Sequence, residues 1–232
     1  VDIDSLGPGF PPSLVFEGVH LAYRNDDALE LERAAVSPAY GKWLKNRRSF
    51  DLLAQLGGGV ARGWLQIEES GAGEPQLAFA LRLEDAGLGA FALIRSMSGQ
   101  TVSGTLDGQI AFSGGIPGRT GSGSAQLSAK QCTVNLQPPV FGIGQLNFRQ
   151  VQADLEIQDR RIQIKRLRVN GNQFSGQASG RLLVARPFGN SRIELNATIT
   201  PHPAILKTIG GLFPKRYLNE DGLPMRITGT LE

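Results

Sequence analysis

Period-two alternation is the feature that most limits what this chain can become. In a strand successive side chains point to opposite faces, so one buried face imposes apolar residues at every second position. From Gln76 to Leu83 the odd positions are Leu77, Phe79, Leu81 and Leu83, set against Gln76, Ala78, Ala80 and Arg82. Val151, Ala153, Leu155 and Ile157 alternate with Gln152, Asp154, Glu156 and Gln158. Ile193, Leu195, Ala197 and Ile199 alternate with Glu194, Asn196, Thr198 and Thr200, and Met225, Ile227 and Leu231 with Arg226, Thr228 and Thr230. These read as half-buried antiparallel strands, because a parallel sheet covered on both faces carries continuous apolar runs instead. Glycine, 30 of 232 residues, is nearly twice its usual share of roughly 7%, which fits strands joined by tight turns.

Phe50, Leu52, Ala54 and Leu56 make one strand, Gly57-Gly58-Gly59 a turn, and Val60 to Ile67 the return. Three short helices are expected beside the strands. Ser37-Pro38 reads as an N-cap and first helical residue of a helix to about Asn46. Ala90, Leu93, Ile94 and Met97 have i, i+3, i+4, i+7 spacing, and Ile205, Ile209 and Leu212 follow Pro201-His202-Pro203. Between Ile162-Ile164 and Leu167-Val169 the apolar parity changes, which calls for a bulge at Lys165-Arg166 or a sheet corner. Ser113 to Ser124 reads as a flexible loop between two strands. No domain boundary interrupts the pattern, so residues 1 to 232 are expected to form one β-rich domain.

Area then decides what kind of sheet this is. About ten strands, ~20 Å long and ~4.8 Å apart, present an apolar face of roughly 1,000 Å². Three helices about 15 Å long and 10 Å wide cover roughly 450 Å². Each large apolar side chain is worth about 1.5 to 3 kcal/mol on burial, so the uncovered half must fold onto itself or meet an apolar ligand or partner. Glycines recur on that face: Gly104 and Gly108 share it with Val102, Leu106, Ile110 and Phe112, and Gly176 and Gly180 share it with Phe174, Ala178, Leu182 and Val184. They imply a sharply curling sheet, space for an approaching group, or simple easing of twist. Val102, Leu106, Ile110, Phe112, Phe174, Leu182, Val184, Ile193, Leu195 and Ile199 are the candidate lining of an apolar groove.

The chemistry of known sites finds little purchase. A formal charge of +3, from 24 bases and 21 acids, is no field for nucleic acid. One cysteine, Cys132, excludes an internal disulfide framework, and its parity with Val134 and Leu136 makes it a small buried apolar residue. His20 and His202 lie in separate segments without metal-ligand spacing, so neither metal nor cofactor is expected. Gly142, Gly144 and Asn147 only half-match a dinucleotide fingerprint, Gly118 to Gly123 lacks a Lys-Ser/Thr ending, and no nucleophile elbow occurs. No catalytic residues are assigned. A β-sandwich acting on carbohydrate would need paired carboxylates about 5 to 10 Å apart, which nothing in the sequence marks. Two basic clusters remain, Lys42, Lys45, Arg47 and Arg48, and Arg160, Arg161, Lys165, Arg166 and Arg168, either as solvated surface or as sites for anionic headgroups or an acidic partner.

The run VNLQPPVFGIGQLNFRQVQADLEIQDRRIQIKRLRVNGNQFSGQASGRLLV resembles the C-terminal half of the type II secretion system protein N family, part of the broader AsmA-like group. The LGGGVARGWL hairpin, the SGTLDGQIAFSG segment and the closing GLPMRITGTLE fit the same pattern. The resemblance implies a long, strongly curled antiparallel sheet with an apolar concave face, a groove or half-open barrel. It also implies a bacterial periplasmic location, with an N-terminal inner-membrane anchor upstream of this chain. The implied partners are lipid or an apolar segment in the groove and other inner-membrane secretion components, with no enzymatic activity. Phospholipid transfer outside the secretion system, and scaffolding through strand edges, are the alternatives.

Overall fold

A computed structural model describes residues 2–9, 12–23, 26–39, 48–68, 75–92, 100–115, 120–140, 143–185, 188–203, 205 and 222–230. Among them thirteen strands form one antiparallel sheet in which every strand pairs with its neighbours in sequence. They are β1 (Asp2–Gly9), β2 (Ser13–Tyr23), β3 (Asp26–Pro38), β4 (Arg48–Leu56), β5 (Gly59–Glu68), β6 (Gln76–Gly87) and β7 (Thr101–Gly115). Then follow β8 (Gly121–Val140), β9 (Ile143–Gln158), β10 (Arg161–Gly171), β11 (Phe174–Leu183), β12 (Arg192–Pro201) and β13 (Leu223–Thr230). β1 and β13 pair on one side only, so the sheet is open.

The expected β4–β5 hairpin is present, turning at Gly57 and Gly58 with φ of 56° and 80°. At Gly57 a Cβ would also stand 2.7 Å from the Gly87 Cα, so the turn closes against the end of β6 and tolerates no side chain. The bulge expected at Lys165-Arg166 is present as well: Ile164 pairs with Gly180 and Leu167 with Ala178, leaving two residues opposite one. Further shifts fall between Leu83 and Ala86, where Asp85 has φ 51°, and between Ser103 and Thr105, across from Gln131 with φ 50°. Each bulge bends its strand and raises the local twist.

The expected helices are the part to correct. No α-helix stands as an element among the described residues, whose helical elements are the 3-10 turns Leu88–Ala90 and Phe188–Asn190. Ser37 and Pro38 end β3, paired with Asp51 and Phe50, and residues 40–47 lie outside the described residues. Ala92, Pro203 and Ile205 are helical, but the stretches that would extend them, 93–99 and 206–221, also lie outside. The loop expected from Ser113 to Ser124 is shorter: Ser113 pairs with Ser122 and Gly114 with Gly121, so both ends belong to strands. The strands of the first 38 residues were not marked by alternation, and they raise the count from about ten to thirteen.

The core gathers at one end of β4–β8, where the turn Leu88–Ala90 folds back over the sheet. Leu56, Ala61, Leu83, Ala86, Leu88, Ala90, Leu106, Ala129 and Cys132 are buried there, with Leu29, Leu31, Phe91 and Phe148 packed around them. No buried apolar residue comes from β9–β13. Apart from that turn, the elements in substantial contact belong to neighbouring strands or to β4 and β6. Among the described residues no second sheet or helix layer lies on the rest of the apolar face.

Candidate apolar binding face

Directly paired residues of an antiparallel ladder share a face, so the register sorts the side chains. One row crosses ten strands as Phe50, Leu65, Phe79, Phe112, Gly123, Ile157, Ile162, Leu182, Ile193 and Gly229. The next reads Leu52, Gly63, Leu81, Ile110, Ala125, Leu155, Ile164, Gly180, Leu195 and Ile227. Neither row holds a charged or hydrogen-bonding side chain. The row between them, on the other face, is Asp51, Trp64, Ala80, Ala111, Ser124, Glu156, Gln163, Arg181, Glu194 and Thr228.

All ten candidate lining residues fall on the apolar face by register or strand parity, Val184 just past the end of β11. Leu106 differs from the rest: at 9% exposure it belongs to the core cluster, with Val102 and Ile110 packed against it. Phe112, Phe174, Leu182, Val184, Ile193, Leu195 and Ile199 are half-buried. Toward the β13 edge the face is barer still, with Met225 46% and Ile227 41% exposed. Two ring pairs stiffen it: Phe79 against Phe112 at 5.9 Å, and Phe148 edge-on to Phe174 at 5.4 Å.

Gly104, Gly108, Gly176 and Gly180 on this face do not leave room for a ligand. A Cβ at Gly108 would stand 2.5 Å from the Gln126 carbonyl oxygen and 2.8 Å from Leu127 Cδ2, so the missing side chain lets the neighbouring strand come close. Of the expected roles, close strand approach fits and an empty slot does not.

The opposite face is ion-paired. Arg62 and Arg82 both reach Glu84, at 3.3 and 3.0 Å, Lys130 reaches Asp107 at 2.7 Å, Lys165 reaches Glu156 at 2.9 Å, and Arg181 reaches Glu194 at 2.8 Å. Exposed pairs of this kind contribute about 0 to 1 kcal/mol each; their main consequence is to fix which face stays in water. Asp107 has a further task, since its Oδ1 accepts the backbone N–H of Asp85, the positive-φ residue of the β6 bulge, at 2.9 Å. That bond first, and the Lys130 ammonium second, hold its carboxyl below the usual carboxylate range. A depressed folded-state pKa gives stability that is complete above the unfolded value of about 3.9 and is lost as pH falls through the folded value. Asp107→Ala is therefore expected to lower stability by about 1 kcal/mol at pH 7, read as a shift in the urea midpoint, with the gap to the parent chain narrowing below pH of about 4.

The basic clusters divide. Lys42, Lys45 and Arg47 lie outside the described residues, and Arg48 opens β4 opposite Ile67. Arg160 sits in the β9–β10 turn, Arg161 pairs with Gln158, and Arg166 stands 3.9 Å from Asp154. Sequence reading missed Trp64, a large aromatic on the polar face, and Arg226, which the topology brings near Arg166 and Arg168. Cys132 is buried, and desolvation pushes its thiol pKa up, away from thiolate chemistry. His202 bonds Ser175 Oγ through Nε2 at 2.9 Å and the Asn172 carbonyl through Nδ1 at 3.2 Å. Among the described residues no three of His, Cys, Asp and Glu group as metal ligands, and no helix is long and apolar enough to cross a membrane. Comparison with protein-family models, with curated proteins and with solved structures finds no match for this chain.

Proposed function

We propose that this chain is a non-enzymatic periplasmic domain of the type II secretion system N kind that it resembles, and that its apolar face receives lipid acyl chains or the apolar segment of a partner. The observation that carries this reading is the pair of uncharged rows running across β4–β13, half-buried over β9–β12, exposed on β13 and without a second layer among the described residues. Leaving such a face in water costs on the order of tens of kcal/mol at about 25 cal/mol per Å², so an apolar occupant is the economical state. Lipid fits a face with no hydrogen-bonding group in its central rows, since acyl chains need area and no polar partner. In the cell the domain would be held at the inner membrane by a segment upstream of this chain. Phospholipid transfer outside the secretion system would use the same face.

Native mass spectrometry of the purified chain, followed by organic extraction, tests the reading. Adducts of phospholipid mass that disappear on extraction are expected. A chain that flies free of lipid, and extracts no lipid, counts against the lipid version.

The one-sided pairing of β1 and β13 favours a second reading, a scaffold that docks neighbouring secretion components by adding a strand. Cross-linking mass spectrometry on the membrane assembly, with benzoylphenylalanine in place of Leu6 or Ile227, distinguishes it: links from either position to another protein support edge docking, and links confined to this chain speak against it.

A further inference from the structure

A depression of about 680 Å³ opens on the polar face over β10–β13, with Lys165, Arg166, Arg168 and Arg226 standing around it. Alternation alone does not place them there, since adjacent residues 165 and 166 of a regular strand point to opposite faces. The β10 bulge removes that constraint by setting both opposite Ser179. Their carboxylate neighbours, Glu156 for Lys165 and Asp154 for Arg166, both belong to the polar face, so both cations turn the same way. Arg168 follows two residues later on that face, opposite Gln177. Arg226 arrives from β13, paired with Asn196, which in turn pairs with Ser179.

Arg166 and Arg226 thus close the two ends of one row, three strand spacings or about 14 Å apart, with a hydroxyl and an amide between them. Four cations face two carboxylates. The Arg166–Asp154 contact is long at 3.9 Å, and among the described residues neither Arg168 nor Arg226 has a carboxylate within ion-pair distance. A second depression, of about 430 Å³, continues the trough through Arg168, Gln177 and Thr198.

We propose that this trough binds a phosphate-bearing anion. A guanidinium fork matches a pair of phosphate oxygens, and a tetrahedral group with several acceptor oxygens takes donors from both ends of the row and from Ser179, Asn196 and Thr198 beneath. A single carboxylate, as on an acidic peptide, offers one plane and satisfies one arginine. The trough lies on the face opposite the apolar rows, so it stands whether or not lipid occupies those rows.

The test is isothermal titration of the full chain with inorganic pyrophosphate at low salt, beside vesicles of phosphatidylglycerol and of phosphatidylcholine. The parent chain is expected to bind pyrophosphate, more weakly as salt rises, and Arg168→Gln/Arg226→Gln to bind at least tenfold less tightly. Arg33→Gln/Arg192→Gln removes the same charge elsewhere and should stay within about twofold of the parent. Phosphatidylglycerol vesicles held by the parent but released by the first pair of substitutions assign the phosphate to a lipid headgroup; pyrophosphate binding without vesicle binding assigns it to a soluble ligand. In the unsubstituted chain, pyrophosphate should shield Arg168 and Arg226 from phenylglyoxal, which reads the site without altering the fold. No binding of either probe, equal loss in both double variants, absent shielding, or binding of an acidic peptide alone would overturn the proposal.

Discussion

Leu56→Ala should cost about 2 to 5 kcal/mol, whereas Ile227→Ala should cost about 1 kcal/mol or less. Leu56 is 2% exposed and sits in the largest buried apolar cluster among the described residues, with Leu83, Leu88 and Ala90. Removing its methyl groups leaves a cavity that the turn Leu88–Ala90 and the ends of β5 and β6 fill only in part. Ile227 is on the same apolar face but at the open β13 edge and 41% exposed, so truncation there gives up little buried area. Urea denaturation of the two variants beside the parent measures both values. A sheet whose apolar face is covered evenly, as in a closed sandwich, would charge similar amounts at both positions. The steep difference is the signature of a core over β4–β8 and an exposed β13 edge.

The alternation that reveals this face is written in the chain because each strand from β4 onward has one wet side and one dry side. Gln152 beside Ala153, and Glu194 beside Leu195, are enough to assign the faces without knowing what pairs with what. The change of parity between Ile164 and Leu167 was legible too, as a bulge at Lys165-Arg166 or a sheet corner, and the register shows the bulge.

Where the reading failed, a local cue competed with a pairing that no local cue reports. Ser37-Pro38 has the residues of a helix start, yet β4 offers a ladder to pair with. Proline costs little there because Ala39 N–H carries the ladder to β4 on to the Ser49 carbonyl, while pairing with β2 has already ended at Val36. The glycines around residue 118 read as loop because glycine is a poor strand residue, but Gly114 and Gly121 pair to extend a hairpin. In β2 alternation is blurred because Leu14, Val15 and Phe16 are apolar at consecutive positions and Gly18, with φ of 59°, interrupts the run. Only Val19 and Leu21, set against Gly18 and His20, alternate after it, which is too short a stretch to read as a strand. Leu106 carries the same pattern as the other lining candidates, and only the folding back of the turn Leu88–Ala90 puts it in the core. Arg226 is distant in sequence from Arg166 and Arg168, and strand order alone brings the three together.

The two faces meet water and apolar matter differently, and neighbouring residues on β10 sample both. Ile162 lies in the apolar row between Ile157 and Leu182, and Gln163 lies on the other face between Glu156 and Arg181. A benzoylphenylalanine placed at either position abstracts hydrogen from whatever hydrocarbon lies within reach when it is illuminated. Placed at Ile162, and likewise at Leu195, it should give adducts of lipid mass, or of an apolar partner segment, in cells expressing the protein; at Gln163 it should give almost none. Equal yields at Ile162 and Gln163, or no adduct at Ile162 and Leu195 beyond cross-links within the chain itself, would contradict an apolar face that is occupied from outside.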